Sequence, residues 1–161
     1  MNRSITARRT LDSFDRAILR ILQRDNKTPQ RRIGETVNLS AAAVQRRIAA
    51  MVDAGIIARN VAIVDVQAAQ MTITSIVEVK MINEHQQTAA AARALFQATP
   101  EVQQCYYVTG GISFVLVIVA PDMPAYEALT RRLFNENEAV ASFRSLIALD
   151  RVKTGSEIVI P

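Results

Sequence analysis

The chain is 161 residues long and half hydrophobic, with a formal charge of +4 at pH 7, which suffices for the core of one ordinary domain or two small ones. Its single cysteine, Cys105, excludes an internal disulfide and points to a reducing compartment, the cytoplasm. No segment approaches the ~18 uncharged apolar residues of a membrane span and no apolar signal core follows the N-terminus, so a soluble, unprocessed protein with no membrane partner is expected.

The charge is unevenly divided. Residues 1–60 hold 12 Lys/Arg against 5 Asp/Glu, whereas residues 61–161 hold 7 against 10, which makes the first half the one suited to a polyanion. Residues 1–10, with Arg3, Arg8 and Arg9, read as a flexible basic arm, either a frayed terminus or a phosphate contact. Asp12 or Ser13 is placed to cap a first helix in which Phe14, Ala17, Ile18, Ile21 and Leu22 recur at three- and four-residue spacing, with Arg16, Arg20 and Arg24 on the other side. Asn26 interrupts the pattern. Pro29 suits the first turn of a second helix, with Ile33 and Val37 inward and Arg31, Arg32 and Glu35 outward. Asn38, Leu39 and Ser40 then make a turn, and the Ser40 hydroxyl is placed to accept from a backbone donor of a third helix. The buried stripe of that helix is Val44, Ile48, Met51 and Val52; Gly55 ends it, and Ile56 and Ile57 cover the core.

Residues 29–54, two short amphipathic helices joined by a tight polar turn, have the layout of a helix-turn-helix DNA reader, within a DNA-binding domain that spans residues 11–58. Small Ala42 and Ala43 let the backbone approach a duplex closely. Gln45 suits an adenine edge and Arg46 a guanine, which makes them the specificity candidates, while Arg31, Arg32 and Arg47 are the expected phosphate clamps. The bland alternative is three amphipathic helices with a solvated basic face.

Residues 59–72 alternate weakly and contain no Pro or Gly, which reads as a strand and link. From residue 73 the order is βαββαβ. A strand at 73–82 has Val77, Val79 and Met81 on one face and Glu78 and Lys80 on the other. A helix at 86–98 presents Ala89, Ala92, Leu95 and Phe96 and stops at Thr99-Pro100. Strands at about 102–108 and 113–120 flank Gly110-Gly111. A helix from Pro124 carries Tyr126, Leu129, Leu133 and Phe134, and a last long strand at 143–152 precedes a short edge piece at 157–160. The expected class is therefore α+β: an N-terminal helix-turn-helix, winged-helix-like, followed over 73–161 by a ferredoxin-like domain with its helices on one face of an antiparallel sheet. Such a sheet should alternate apolar and polar, yet FVLVIV at 114–119 is apolar throughout. Either a second subunit's sheet covers the bare face in a two-fold dimer, or extra elements of the same chain do.

This arrangement resembles the Lrp/AsnC family, the leucine-responsive and asparagine-responsive regulators of bacteria and archaea. LDSFDRAILRILQRD is similar to that family's opening helix, VNLSAAAVQRRIAAMVDAGII to its reading helix and exit, and VTGGISFVLVIVAPDMPAY to its central hairpin. The resemblance implies a transcriptional regulator that acts on double-stranded DNA at pseudo-palindromic sites. Its dimers would assemble further, commonly as an octamer of four dimers, around a small-molecule site between dimers that often takes an amino acid. By motif position that effector site would involve Tyr107, Gly110, Gly111 and Ser113 of the hairpin, Met123, and Leu146, Ile147 and Ala148 on the last long strand. The family's loop commonly reads Gly-Asp-x-Asp, whereas this chain has Gly110-Gly111-Ile112-Ser113 and neither carboxylate. An amino acid's ammonium pairs best with a carboxylate, so another group such as a backbone carbonyl holds it, or the ligand differs, or there is none. Gly-Gly is also simply a good hairpin turn, and Leu146, Ile147 and Ala148 would serve equally as an oligomer contact.

No metal-ligand spacing, P-loop or dinucleotide fingerprint occurs. The one histidine, His85, lies in a polar turn, and Cys105 has no sequence neighbour that would lower its pKa. No catalytic residue, metal or cofactor is therefore expected. Some heme-pathway decarboxylases resemble the same two-domain layout and form the enzyme alternative. A small-molecule-binding module without DNA activity is the other, and it would leave the basic half without a purpose.

Overall fold

The computed structural model describes residues 9–161, so nearly all of the expected basic arm, including Arg3 and Arg8, lies outside the described residues. The chain divides into two compact units, one running to Ala62 and including Thr154–Pro161, the other Ile63–Lys153.

The first unit is built on α1 (Ser13–Arg24), α2 (Gln30–Val37) and α3 (Ala41–Asp53). Asp12 caps α1 by accepting from the Asp15 N–H at 2.8 Å. Pro29 occupies the capping position of α2 rather than its first turn, and α2 closes on Asn38, whose φ of 58° is one that asparagine tolerates. The helices meet through Ile18, Leu19, Ile33, Val37, Val44 and Met51, with Ile56, Ile57 and Ile160 packed against them. The α1 stripe is rotated from the expected one: Asp15 and Leu19 are buried, whereas Phe14 is 39% exposed. A buried carboxylate requires cationic partners, and Arg9 and Arg47 provide them. Val52, expected inside, is 45% exposed.

The segment at 59–72 contains no strand. Asp65 instead accepts from the Ala68 N–H at 2.8 Å, and Met71 N–H bonds the Val66 carbonyl, closing a local turn. A weakly alternating strand needs a ladder partner, and an aspartate offers its backbone a local substitute. The expected edge piece at 157–160 is not a strand either. Ile158 exchanges two hydrogen bonds with the Gln23 side chain on α1, at 3.1 and 2.9 Å, and Arg20 donates to the Ile160 carbonyl at 3.0 Å.

The second unit is a sheet of β1 (Ile73–Met81), β2 (Val102–Tyr107), β3 (Phe114–Ala120) and β4 (Val140–Ile147), in the order β2-β3-β1-β4. Every pairing is antiparallel. The last strand begins and ends earlier than the sequence pattern suggested. Since β1 starts at Ile73, nothing remains to pair with β4 once Ala148 has bonded the Thr74 carbonyl at 2.8 Å. Helix α4 (Gln86–Ala98) and helix α5 (Met123–Thr130), which runs on into a wider π turn at Arg131–Asn135, cover one face. Val77, Val79, Phe114, Leu116 and Ile118 there meet Ala92 and Phe96 of α4 and Tyr126, Leu129, Leu133 and Phe134. Leu95, expected in that core, is 38% exposed. Tyr126 keeps its hydroxyl satisfied by Ser75 at 2.9 Å and Ser145 at 2.6 Å. This is the ferredoxin-like arrangement. On β3 the residues alternate, Phe114, Leu116, Ile118 and Ala120 being buried and Val115, Val117 and Val119 only half-buried. A single chain therefore buries one face of FVLVIV, not both.

A candidate DNA-reading face and a candidate effector site

The reading face is set by the α2–α3 turn. The Gly34 carbonyl accepts from both Asn38 and Leu39 N–H groups, and a Cβ at Gly34 would press into the Leu39 carbonyl oxygen. Glycine is thus required for the close approach of turn to helix, a role the apolar periodicity did not reveal. Ser40 caps α3 by accepting from Ala43 N–H at 3.2 Å. Gly55, at φ +67°, closes its far end, where Ile56 N–H bonds the Met51 carbonyl. Val44 and Met51 turn α3 inward, which leaves Ala42, Gln45, Arg46 and Ala49 exposed and Ala43 half-buried. Arg31 and Arg32 are exposed on α2.

The arginines are not equivalent. Arg31 pairs with Glu35 at 3.1 Å, but both side chains are largely in solvent, and such a pair is worth about 0.3–0.5 kcal/mol and yields readily to a phosphate. Arg32 and Arg46 have no ion-pair partner among the described residues. Arg47, expected as a phosphate clamp, is instead turned into the unit. Its Nη1 donates to Asp12 at 2.7 Å and to buried Asp15 at 2.8 Å, and its guanidinium lies 5.3 Å from the centre of the Phe14 ring. Both carboxylates raise the Arg47 pKa, Asp12 more than Asp15. Asp15 also accepts two bonds from Arg9 at 3.2 and 3.0 Å. Arg47 is therefore a tie between α3 and the head of α1, because two fixed carboxylates outcompete solvent for a short-range cation.

The expected effector residues fall into two groups. Tyr107, Gly110, Gly111 and Ser113 lie where Phe114 pairs with Val79, whereas Leu146, Ile147 and Ala148 lie where Ile147 pairs with Ser75, and Met123 follows the same end of β3. Four residues of β1, roughly 13 Å, separate the two registers. One copy of the sheet does not bring them together. Met123, Leu146 and Ile147 are 40%, 44% and 39% exposed.

At the hairpin end the structure adds a residue that sequence reasoning missed. Ser113 is buried, with its N–H on the Val79 carbonyl at 2.8 Å and its Oγ accepting from Met81 N–H at 3.1 Å. The same Oγ donates to Glu84 at 2.6 Å, and the Tyr107 hydroxyl donates to the other Glu84 oxygen at 2.8 Å. These donors, Ser113 first and Tyr107 second, hold the Glu84 carboxyl below its usual pKa, and the same contact raises that of Tyr107. Arg93 of α4 lies over the Tyr107 ring, 4.4 Å from its centre. Gly110 and Gly111 take φ of +110° and +94°, and no atom lies within 4 Å of where their Cβ atoms would be.

Elsewhere, burial raises the Cys105 pKa against the opposing charge of Arg93. His85 is exposed at the head of α4. Among the described residues no three His, Cys, Asp or Glu side chains are grouped to hold a metal ion, and no helix is long and apolar enough to cross a membrane.

Comparison with known proteins agrees with both halves. Residues 11–52 match the AsnC-type helix-turn-helix domain, and residues 74–158 match the Lrp/AsnC ligand binding domain. An uncharacterised HTH-type transcriptional regulator of Haemophilus influenzae is 36% identical over 94% of this chain and 90% of its own length. The crystal structure of an AsnC family transcriptional regulator from Agrobacterium tumefaciens superposes with a TM-score of 0.87 at 29% identity, covering 92% of this chain and 97% of that one. A transcriptional regulator from Neisseria meningitidis, solved as a complex with L-Met, shares the fold with a TM-score of 0.87 at 23% identity, over 93% and 97% of the two chains. With a helix-turn-helix reader and a ferredoxin-like domain each matched in turn, the chain belongs to the Lrp/AsnC family of transcriptional regulators.

Proposed function

We propose that the protein binds pseudo-palindromic double-stranded DNA as a dimer or a larger assembly, with Arg31 and Arg32 on phosphates and Gln45 and Arg46 on base edges. The observation that carries this reading is a small-residue helix start, Ala42 and Ala43, together with exposed Arg32 and Arg46, which have no ion-pair partner among the described residues. Two such helices related by a two-fold axis would enter successive major grooves, about 10 base pairs apart or a multiple of that. An amino-acid-like effector bound between dimers, in an octamer of four dimers, would change how several sites are bridged. Support for the effector comes from the L-Met complex of the Neisseria meningitidis regulator. Support for assembly comes from the separation of the two residue groups along β1, since a site using both needs more than one copy. The working compartment is the cytoplasm.

Fluorescence anisotropy on genomic fragments over a salt series tests the DNA roles. Arg32→Ala should weaken binding to all sequences and lower the salt slope by about one. Gln45→Ala should cost about 1–3 kcal/mol on the preferred site and almost nothing on random DNA. A wild-type protein that binds every fragment and random DNA alike would refute the reading.

A further inference from the structure

The Glu84 carboxylate is oriented without being neutralised. Ser113 and Tyr107 are hydroxyl donors that fix one oxygen each, and among the described residues no cationic side chain forms an ion pair with it. Arg93 holds the Tyr107 ring from its face, which keeps the hydroxyl in place. The neighbouring Gly110-Gly111 backbone is open on the side where side chains would project. The result is a fixed anion beside an unfilled loop, in a hairpin that carries no carboxylate of its own. The carboxyl is charged at neutral pH as an ordinary glutamate is, and its two donors lower its pKa further.

We infer that Glu84, from the loop between β1 and α4, supplies the carboxylate that the hairpin lacks, and that this end of the sheet takes the primary ammonium of an α-amino acid. The inference rests on the reading of the second unit as an effector-binding domain. Neutral Ser113 acts here as a positioning residue: its hydroxyl fixes one oxygen of the carboxylate at 2.6 Å. A charge-assisted bond from ammonium to carboxylate is shorter and stronger than a bond to a hydroxyl, so recognition should depend on the ligand's amine.

The test is a thermal-shift screen of the full-length chain with each standard amino acid, followed by calorimetry on the strongest hit. The α-hydroxy acid bearing the same side chain serves as the control. Glu84 is exposed, so Glu84→Gln should fold, as circular dichroism would verify. Its affinity for the amino acid should fall about tenfold to a hundredfold, while the hydroxy acid should bind wild type and variant equally weakly. Tyr107→Phe, which frees one carboxylate oxygen, should give a smaller loss and carries the test if Glu84→Gln misfolds. Amino-acid binding that survives Glu84→Gln or, in that event, Tyr107→Phe, would overturn the role of Glu84 and leave the effector reading standing. No binding of any amino acid to wild type at millimolar concentration would overturn both.

Discussion

Asp12 serves two partners at the head of α1: one oxygen accepts from the Asp15 N–H at 2.8 Å, the other from Arg47 at 2.7 Å. The backbone bond, then the Arg47 bond, hold its pKa below the ordinary carboxylate value. A group whose folded pKa is depressed contributes stability that is complete above its unfolded pKa and is lost as pH falls through the folded value. The window therefore lies below about pH 5 and extends under pH 4. Asparagine caps as well as aspartate, so Asp12→Asn removes the charge pair and leaves the cap. Thermal melts across pH 2–7 should show wild type losing its advantage over Asp12→Asn as pH falls, the two converging at the acid end. Parallel curves would mean that the Arg47 pair contributes nothing. Residue-level facts of this kind were the least legible in the sequence. The pattern at 14–22 locates a helix, but it cannot show that Asp15 is inside, because the partners that permit it, Arg9 and Arg47, come from other segments. Glu84 escaped for the same reason: its bonds reach 23 and 29 residues along the chain and leave no local spacing to read.

At the scale of elements, sequence and structure agree wherever an element's boundary is chemical and part where it depends on a neighbour. Ser40, Gly55 and Thr99-Pro100 mark helix ends that the structure keeps, since caps and breakers act within a few residues. The ends of β4 differ from the sequence pattern because β1 decides them, and residues 59–72 carry weak alternation but pair with no strand among the described residues. The segment at 157–160 is the instructive case. Its β-branched run Ile158, Val159 and Ile160 after Glu157 reads as a short edge piece, yet Gln23 and Arg20 capture its backbone along α1 and Ile160 joins the helical core. Removing residues 154–161 should thus destabilise the helical unit, by about 1–2 kcal/mol from two exposed hydrogen-bonding sites and a partly buried isoleucine. Hydrogen exchange on the truncated chain would check this: faster exchange in α1 is expected, with β1 and β3 unchanged. Faster exchange confined to the sheet would restore the edge-strand assignment.

For the whole molecule, the apolar excess of β3 becomes an argument about assembly. Val77, Val79, Phe114 and Leu116 satisfy the core beneath α4 and α5, so Val115, Val117 and Val119 are not needed to fold one chain. Together with half-buried Ile76 and 44%-exposed Leu146 they form a face interrupted by the Glu78–Arg144 pair at 2.7 Å. Apolar residues left beside water on a sheet's second face favour a self-complementary contact. Val117 sits in the middle of that face, opposite Ile76 on β1 and Gln104 on β2. Glutamate there would be solvated in a lone chain, so the fold should survive, but a dimer would have to bury two unpaired charges at a cost of several kcal/mol. Sedimentation at about micromolar concentration, where an interface of about 8 kcal/mol is half dissociated, should give a dimer or larger species for wild type and a folded monomer for Val117→Glu. A monomeric wild type would remove the dimer altogether. An oligomeric Val117→Glu would move the contact to another face, and with it the two-fold axis that sets the spacing of the DNA half-sites.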